Sequence, residues 1–468
     1  MTSLEYHNAT KHTPESVRRA ARPLDWANMP DPFRHYEGTP LIDLPADPPA
    51  PQATALDVLR GAPCPRVIED SIEFLSQLLF YSASISATKV APSGYRYALR
   101  VNPSSGNLHP TEFHIASPQG RFHYRVSSHM LEQRSAEDCG PLNFLLTTVA
   151  WREAWKYGNR AYRYCLLDAG HAWQALALAA RAVGCEATAI GQFDDVRVAA
   201  EYRLAPDEWP LLLVHLRHAP EFARATGQAW TEGVPNRLSE HVIPFPRIDS
   251  VHAATSVVLP GPSVTSAPAA PAHAINSGAL FSEVARRRRS ALDFRGGNDS
   301  ISEEQFSTLV QLATRPLEAD FSAGPYVDLY AYVHRVSGLV PGVYRYVRDS
   351  NRMELLKPGD QRVMAAGLSL GQDLAGNSCV TFSMIADLQR AIAEFGDRGY
   401  RYVHFEAGAI GQRLYLAAEA LGFQSTGIGA FYDDAVHEYL GLCPEQGQVV
   451  YHFACGYAVD DDRLTEPA

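Results

Sequence analysis

Cysteine is scarce and scattered: the seven residues (Cys64, Cys139, Cys165, Cys185, Cys379, Cys443 and Cys455) are odd in number, and no two stand at CxxC spacing. That excludes a disulfide framework and a zinc ribbon, and the thiols read as reduced ones in a cytoplasm. Long apolar runs are missing too. Residues 175–183 are far too few to span a bilayer, and residues 1–30 mix both charges around no apolar centre, so neither export nor membrane insertion is expected. Positive charge is in deficit, with 41 Lys and Arg against 52 Asp and Glu and a formal net charge of -11. Nucleic acids and anionic membrane surfaces reward the opposite sign, so the expected partner is a small molecule or a peptide. His109 and His114 have no carboxylate or cysteine cluster around them at ligand spacing, and no metal is expected. Gly427 and Gly429 lack the third glycine and downstream acid of a dinucleotide fingerprint, and no Ser-His-Asp or nucleophilic cysteine arrangement is legible.

What the chain does have is length and self-similarity. Its 468 residues, 46% hydrophobic and 20% charged, suffice for two ordinary domains with full cores. Residues 162–195 match residues 400–433 without a gap, and about half of the aligned positions are identical, which marks a duplication. In each copy the spacing of residues such as Leu176, Ala179, Ala180 and Val183 predicts a helix with one apolar stripe, ended by Gly184 or Gly422. A Gly-rich turn follows, with Gly191 in one copy and Gly427 and Gly429 in the other, and strands are expected over 210–216 and 448–454. Ser302-Glu303-Glu304-Gln305 is a capping box opening a helix that carries Phe306, Leu309, Val310 and Leu312; residues 72–80 are its first-half counterpart. The Pro/Ala/Ser-rich run 259–274 reads as a linker. The expected architecture is α+β: an N-terminal extension (1–60), a first domain (61–255), a linker (256–278) and a second domain (279–468), the two domains pairing as an intramolecular pseudodimer.

Two stretches carry chemistry. Arg286-Arg287-Arg288-Arg289-Ser290 ends a helical segment just before a turn at Gly296 and Gly297. Guanidinium forks and a hydroxyl at this spacing suit a terminal phosphate, although a basic run is as readily a solvated face. Pro103-Ser104-Ser105-Gly106-Asn107 offers hydroxyls, an amide and a close backbone approach to a polar heterocycle; taken alone it reads as a turn.

Joined, these two stretches resemble the nitroreductase superfamily, and within it the tandem SagB/ThcOx-type FMN-dependent dehydrogenases that oxidise azolines to azoles. The resemblance covers nearly the whole chain. It implies that Arg288, Arg289 and Ser290 hold the FMN phosphate, that Pro103, Ser104, Ser105 and Asn107 approach the flavin ring from the other half, and that Gly427-Ile428-Gly429 lies beside the isoalloxazine. Tyr6-His7, Thr10-Lys11-His12, Leu24-Asp25-Trp26 and the run from Pro30 to Arg34 resemble the leader of SagB-like oxidoreductases and are assigned no chemistry. Lys156-Tyr157 matches the catalytic pair of the azoline dehydrogenases; without the resemblance it reads as a surface lysine beside a half-buried ring. One position departs from the pattern. Where nitroreductases often place a second basic residue after the serine stands Leu292, for which Arg287 or Arg463 could substitute.

The halves differ in what they keep. No arginine cluster precedes residues 72–80, where Arg66, Glu69 and Asp70 stand instead, and the second half has Phe321-Ser322-Ala323-Gly324-Pro325 in place of PSSGN. Lys156-Tyr157-Gly158-Asn159-Arg160 aligns with Glu394-Phe395-Gly396-Asp397-Arg398, so the Lys-Tyr pair belongs to the first half alone. Complementary losses imply one composite site, one vestigial site and one FMN per chain. The expected activity is dehydrogenation of an azoline-type heterocycle in a peptide-derived substrate, with a peptide-modifying enzyme complex as a candidate partner. The competing readings are an NAD(P)H-dependent nitro or quinone reductase, for which the dinucleotide would bind transiently, and a non-catalytic flavin-binding scaffold. Substrate specificity is expected in loops over 127–141 and 338–360.

Overall fold

The computed structural model describes residues 1–20, 23–227, 230–231, 233–259, 275, 277–321, 324–443 and 445–464. All but Leu259 of the expected linker run lies outside them, as do Ser322 and Ala323. Each half packs a 22-residue helix, Ala161–Ala182 or Gly399–Ala420, on its own antiparallel sheet. In the first sheet the central strands run in the order Thr111–Ser117, Asn143–Thr148, Trp209–Arg217, Glu186–Ile190. The second repeats it as Val327–Val333, Val380–Ala386, Gln448–Gly456, Gln424–Ile428. The fold is α+β and the unit occurs twice. The extension adds Leu41–Asp43 to the outer edge of the first sheet, against Met130–Ser135.

The single apolar stripe expected on each long helix is not what forms. Both helices are buried on nearly every side, because each lies between its sheet and the helix of the other half. They cross at Gly170 and Gly408, matching positions of the duplication. A Cβ at Gly170 would stand 2.4 Å from the Phe405 carbonyl oxygen, and one at Gly408 would stand 2.2 Å from that of Leu167. Only glycine permits the crossing.

Ion pairs repeat this reciprocity. Arg160 and Arg163 reach across to Asp433 at 3.0 and 2.8 Å, while Arg398 and Arg401 reach back to Asp195 at 2.8 and 2.7 Å. The same surface is used by both halves, as in an isologous dimer interface. The segments before the sheets obey the symmetry too: Ala55 N–H donates to Ala279 O at 2.8 Å and Phe281 N–H to Ala53 O at 2.9 Å, which equates helix Ala55–Arg60 with helix Phe281–Arg287. Helices Ser3–Ala9 and Pro246–Thr255 are likewise counterparts. Thr10 Oγ1 accepts from Arg163 Nε at 3.1 Å, and Thr255 Oγ1 accepts from Arg401 Nε at 3.0 Å. Tyr6 stands edge-on to both Tyr162 and Tyr400, at 6.0 Å from each ring. The leader thus closes the contact between the halves.

The two expected specificity loops are sheet. Residues 127–141 contain strand Met130–Ser135, and residues 338–360 contain the hairpin of Gly342–Val347 with Arg352–Pro358. Charge misled the reading of the first. Glu132 is buried because His123 Nδ1 lies 2.8 Å away and Tyr36 donates its N–H, and the Arg134 guanidinium lies 3.6 Å from the centre of the Tyr36 ring. Buried charge is tolerated when so paired.

Candidate active site

Helix Phe281–Arg287 ends where Arg288 adopts extended backbone (φ -48°, ψ 127°). The chain then runs beside strand Gln424–Ile428, with Ala291 N–H donating to Ser425 O at 3.0 Å. This sets Arg288, Arg289 and Ser290 next to Gly427, Ile428 and Gly429. From the first half, hairpin Ile85–Val90 and Arg96–Arg100 delivers the loop 103–107, which turns sharply through left-handed backbone at Gly106 (φ 60°) and Asn107 (φ 61°). Pro103, Ser104, Ser105 and Asn107 therefore face the second-half residues across one cavity of about 370 Å³, and all ten predicted cofactor positions line it. Tyr157 lines it too. Lys156 does not, yet its Nζ lies against the same loop: a Cβ at Gly106 would stand 2.9 Å from it and 2.6 Å from the Tyr157 hydroxyl.

The cationic side is underneutralised. Arg288, 3% exposed, donates from Nε to Val101 O and from Nη2 to Arg100 O, both at 3.1 Å. Arg289 donates to Ser86 O and Arg286 O at 2.8 Å. Arg288 Nη1 and Arg289 Nε are buried without a partner among the described residues. Burial, then repulsion from Arg288 and Arg286, pushes Arg289 down to about 10, and burial also lowers Arg288. An anion in contact would relieve both effects.

The opposite loop is held by its own contacts. Ser105 donates from N and from Oγ to Asp168 at 3.0 Å, Ser104 Oγ accepts from His109 N at 2.8 Å, and Asn107 Nδ2 donates to Ala98 O at 2.9 Å. On the second-half side, Tyr415 hydrogen-bonds Ser290 Oγ at 2.7 Å and accepts Gly427 N–H at 2.9 Å. Sequence reasoning missed Asp168, Tyr415, Tyr451 and Lys89 as lining residues. They lie on elements whose sequence pattern signals only core or strand, and only the fold brings them together. Leu292 also lines the cavity. Arg287 pairs instead with Glu419 at 2.6 Å and Arg463 with Asp461 at 2.8 Å, and neither is among the lining residues.

The matching place in the other half is filled. A Cβ at Gly191 would stand 2.6 Å from Tyr402, much as one at its counterpart Gly429 would stand 2.4 Å from Tyr164, but it would also stand 2.6 Å from Phe321, which covers only this half. The Phe321 ring stacks on Tyr402 with centroids 4.3 Å apart and packs against Trp173 at 5.8 Å. Where the second half has Arg287 to Ser290, the equivalence of the preceding helices puts Gly61, Ala62, Pro63 and Cys64. Among the described residues no group of three or more His, Cys, Asp or Glu could hold a metal ion, and no helix is long and apolar enough to cross a membrane.

A duplicated α+β unit with one cavity shared across its pseudo-dyad defines the class of protein. The description of the nitroreductase family matches residues 85–216 and 285–457, one segment in each half. The chain belongs to the nitroreductase family. A protein of Methanocaldococcus jannaschii named as a nitroreductase is 32% identical over 116 residues, 25% of this chain and 59% of its own. The trifolitoxin operon protein TfxC of Rhizobium leguminosarum bv. trifolii is 24% identical over 165 residues, 34% of this chain and 43% of its own. The chain thus matches less than two thirds of the length of either curated relative. A solved structure from Anabaena variabilis, described as a nitroreductase, shares the whole two-half fold: TM-score 0.76 at 24% identity, covering 98% of this chain and 99% of that one.

Proposed function

We infer that the protein is an FMN-dependent dehydrogenase of the SagB/ThcOx type, which oxidises an azoline-type heterocycle in a peptide-derived substrate. The observation that carries this reading is the convergence on one cavity of unpartnered arginine donors from one half with the PSSGN loop and Tyr157 from the other. The cavity falls in the range of small-molecule and cofactor sites. Its residues fit FMN: Arg288 and Arg289 have donors to spare for a phosphate, and Gly427 to Gly429 presents backbone to a planar ring. When bound, FMN supplies a two-electron acceptor. The chain supplies the rest. Lys156, beside Gly106, removes the substrate proton as a general base, and Tyr157 orients the ring or relays the proton. Burial, and then the nearby Glu153, hold the Tyr157 hydroxyl well above its usual range, so it enters as a neutral phenol. Kinship with a trifolitoxin operon protein favours a modifying role over a general reductase, and a peptide-modifying complex as partner. The division at 60/61, 255/256 and 278/279 and a cytoplasmic setting belong to the same reading.

One observation favours the second reading, an NAD(P)H-driven nitro or quinone reductase: Lys156 is not itself among the lining residues, and such a reaction needs no dedicated base. Anaerobic bleaching of the visible flavin spectrum decides between them. Bleaching by a thiazoline peptide, abolished by Lys156→Ala with FMN retained, is the expected result. Bleaching by NADPH alone points to the reductase, and a colourless protein that takes up no FMN points to a scaffold.

A further inference from the structure

Two acidic side chains lie beside the cavity without a role in the reaction so far. Asp168, 2% exposed, lines the cavity and accepts both the N–H and the hydroxyl of Ser105. Glu153, 0% exposed, stands one helical turn before Lys156 on helix Ala150–Tyr157. Its carboxyl group meets that of Asp168 and the hydroxyl of Ser104 at hydrogen-bonding range. Two buried carboxyls in contact cannot both be ionised without a steep cost, so at least one proton stays with them.

The duplication separates anchoring from chemistry. Glu406, the match of Asp168, accepts the backbone N–H groups of Tyr326 and Val327 at 3.0 and 3.1 Å, so tying down the chain before a central strand is common to both halves. The match of Glu153 is Ala391. A second carboxyl is therefore present only where the cavity is open and the Lys-Tyr pair is kept. Burial pushes Asp168 up to about 7 against the pull of the Ser104 and Ser105 hydrogen bonds. Burial, then Asp168, raises Glu153 well above the usual carboxyl range, against Lys156. The other titratable groups facing the pair are Lys156, Tyr157, Cys165 and Tyr451; burial raises the two tyrosines and the cysteine, so they stay neutral.

We propose that Glu153 and Asp168 hold one proton between them and are the sink for the proton that Lys156 takes from the substrate. This rests on the dehydrogenase reading above. As the ring C–H bond breaks, an N–H bond forms on Lys156 and the hydride departs from the neighbouring carbon to the flavin acceptor. The proton then moves on: an N–H bond of Lys156 breaks, an O–H bond forms on the pair, and its charge goes from -1 to 0. Lys156 is neutral again, and the buried pair has gone from one negative charge to none, which low dielectric favours. The two carboxyls titrate as a unit.

Infrared pH-difference spectra of the full-length protein without flavin test the shared proton directly. A carboxylic-acid band that titrates near neutral pH and disappears in both Glu153→Gln and Asp168→Asn is expected. Absence of the band from the unmodified protein, or its survival in either variant, overturns the proposal. In the FMN-loaded protein, Glu153→Gln should lower kcat for a thiazoline peptide by about 100-fold at unchanged KM and unchanged FMN content. An unaffected kcat overturns the sink. An unmodified protein that binds FMN yet oxidises no azoline overturns the dehydrogenase reading and the transfer step with it, and the infrared band distinguishes that failure from the absence of a shared proton.

Discussion

Gly429 and Gly191 hold the same place in the duplication and each packs on the matching tyrosine, Tyr164 or Tyr402, yet Gly429 borders an open cavity while Phe321 also covers Gly191. The contrast runs through the site: Arg287 to Ser290 stand opposite Gly61 to Cys64, and Lys156-Tyr157 opposite Glu394-Phe395. At the interface it vanishes. The Arg160/Arg163 clasp on Asp433 and the Arg398/Arg401 clasp on Asp195 are near copies, as are the glycines at the crossing. Packing between the halves requires both copies, since each clasp buries charge that must stay paired. A ligand site needs only one of each feature, so after duplication either half is free to lose its share.

Variants sharpen this contrast, and the largest effect is expected at the Lys-Tyr pair. Lys156→Ala should cut azoline turnover by about 10²- to 10⁴-fold with FMN affinity unchanged, while Glu394→Ala at the matching position leaves turnover within about twofold; stopped-flow bleaching checks both. Next come the paired arginines. Arg288→Ala together with Arg289→Ala should weaken FMN binding by roughly 100-fold or more, from about 1.5 to 3 kcal/mol for each charged hydrogen bond, read by fluorescence titration. Equal effects are expected where the halves are alike: Asp433→Asn and Asp195→Asn should each destabilise the fold by about 3 to 5 kcal/mol, measured by urea unfolding.

The Asp433 clasp also has a pH signature. Burial opposes ionisation of Asp433, but Arg160 and then Arg163 outweigh it and hold the carboxyl well below its usual range. Its folded pKa is depressed, so its contribution is complete above the unfolded value of about 3.9 and is lost as pH falls through the folded one. The unmodified protein should lose stability more steeply below about pH 4 than Asp433→Asn does. The smallest change is expected at Leu292, which lines the cavity where a second basic residue would strengthen the phosphate grip. Leu292→Lys should tighten FMN by about two- to fivefold, in keeping with a solvent-accessible ion pair.

Much of this was legible before the fold. The gapless repeat announced the two-half α+β architecture, and strands expected over 210–216 and 448–454 form as Trp209–Arg217 and Gln448–Gly456. The arginine run and PSSGN were readable because several polar residue types stand together in sequence, and the structure brings them to one cavity. Asp168 and Tyr451 were not, since each is a single residue in an otherwise buried helix or strand and acquires a neighbourhood only by long-range packing. Strand Met130–Ser135 was missed for a related reason: its charges are neutralised by residues remote in sequence, from Tyr36 to His123. The equivalence of the first helix with Pro246–Thr255 rests on a match as short as His7 to Thr10 against His252 to Thr255. It emerges from the two threonines capping symmetric arginines.

The central claim is that duplication has left one cofactor site per chain, and the flavin-to-protein ratio after full reconstitution with FMN tests it most directly. The account predicts one FMN per chain, unchanged when Phe321→Ala removes the ring over Gly191. Two per chain in the unmodified protein would contradict it.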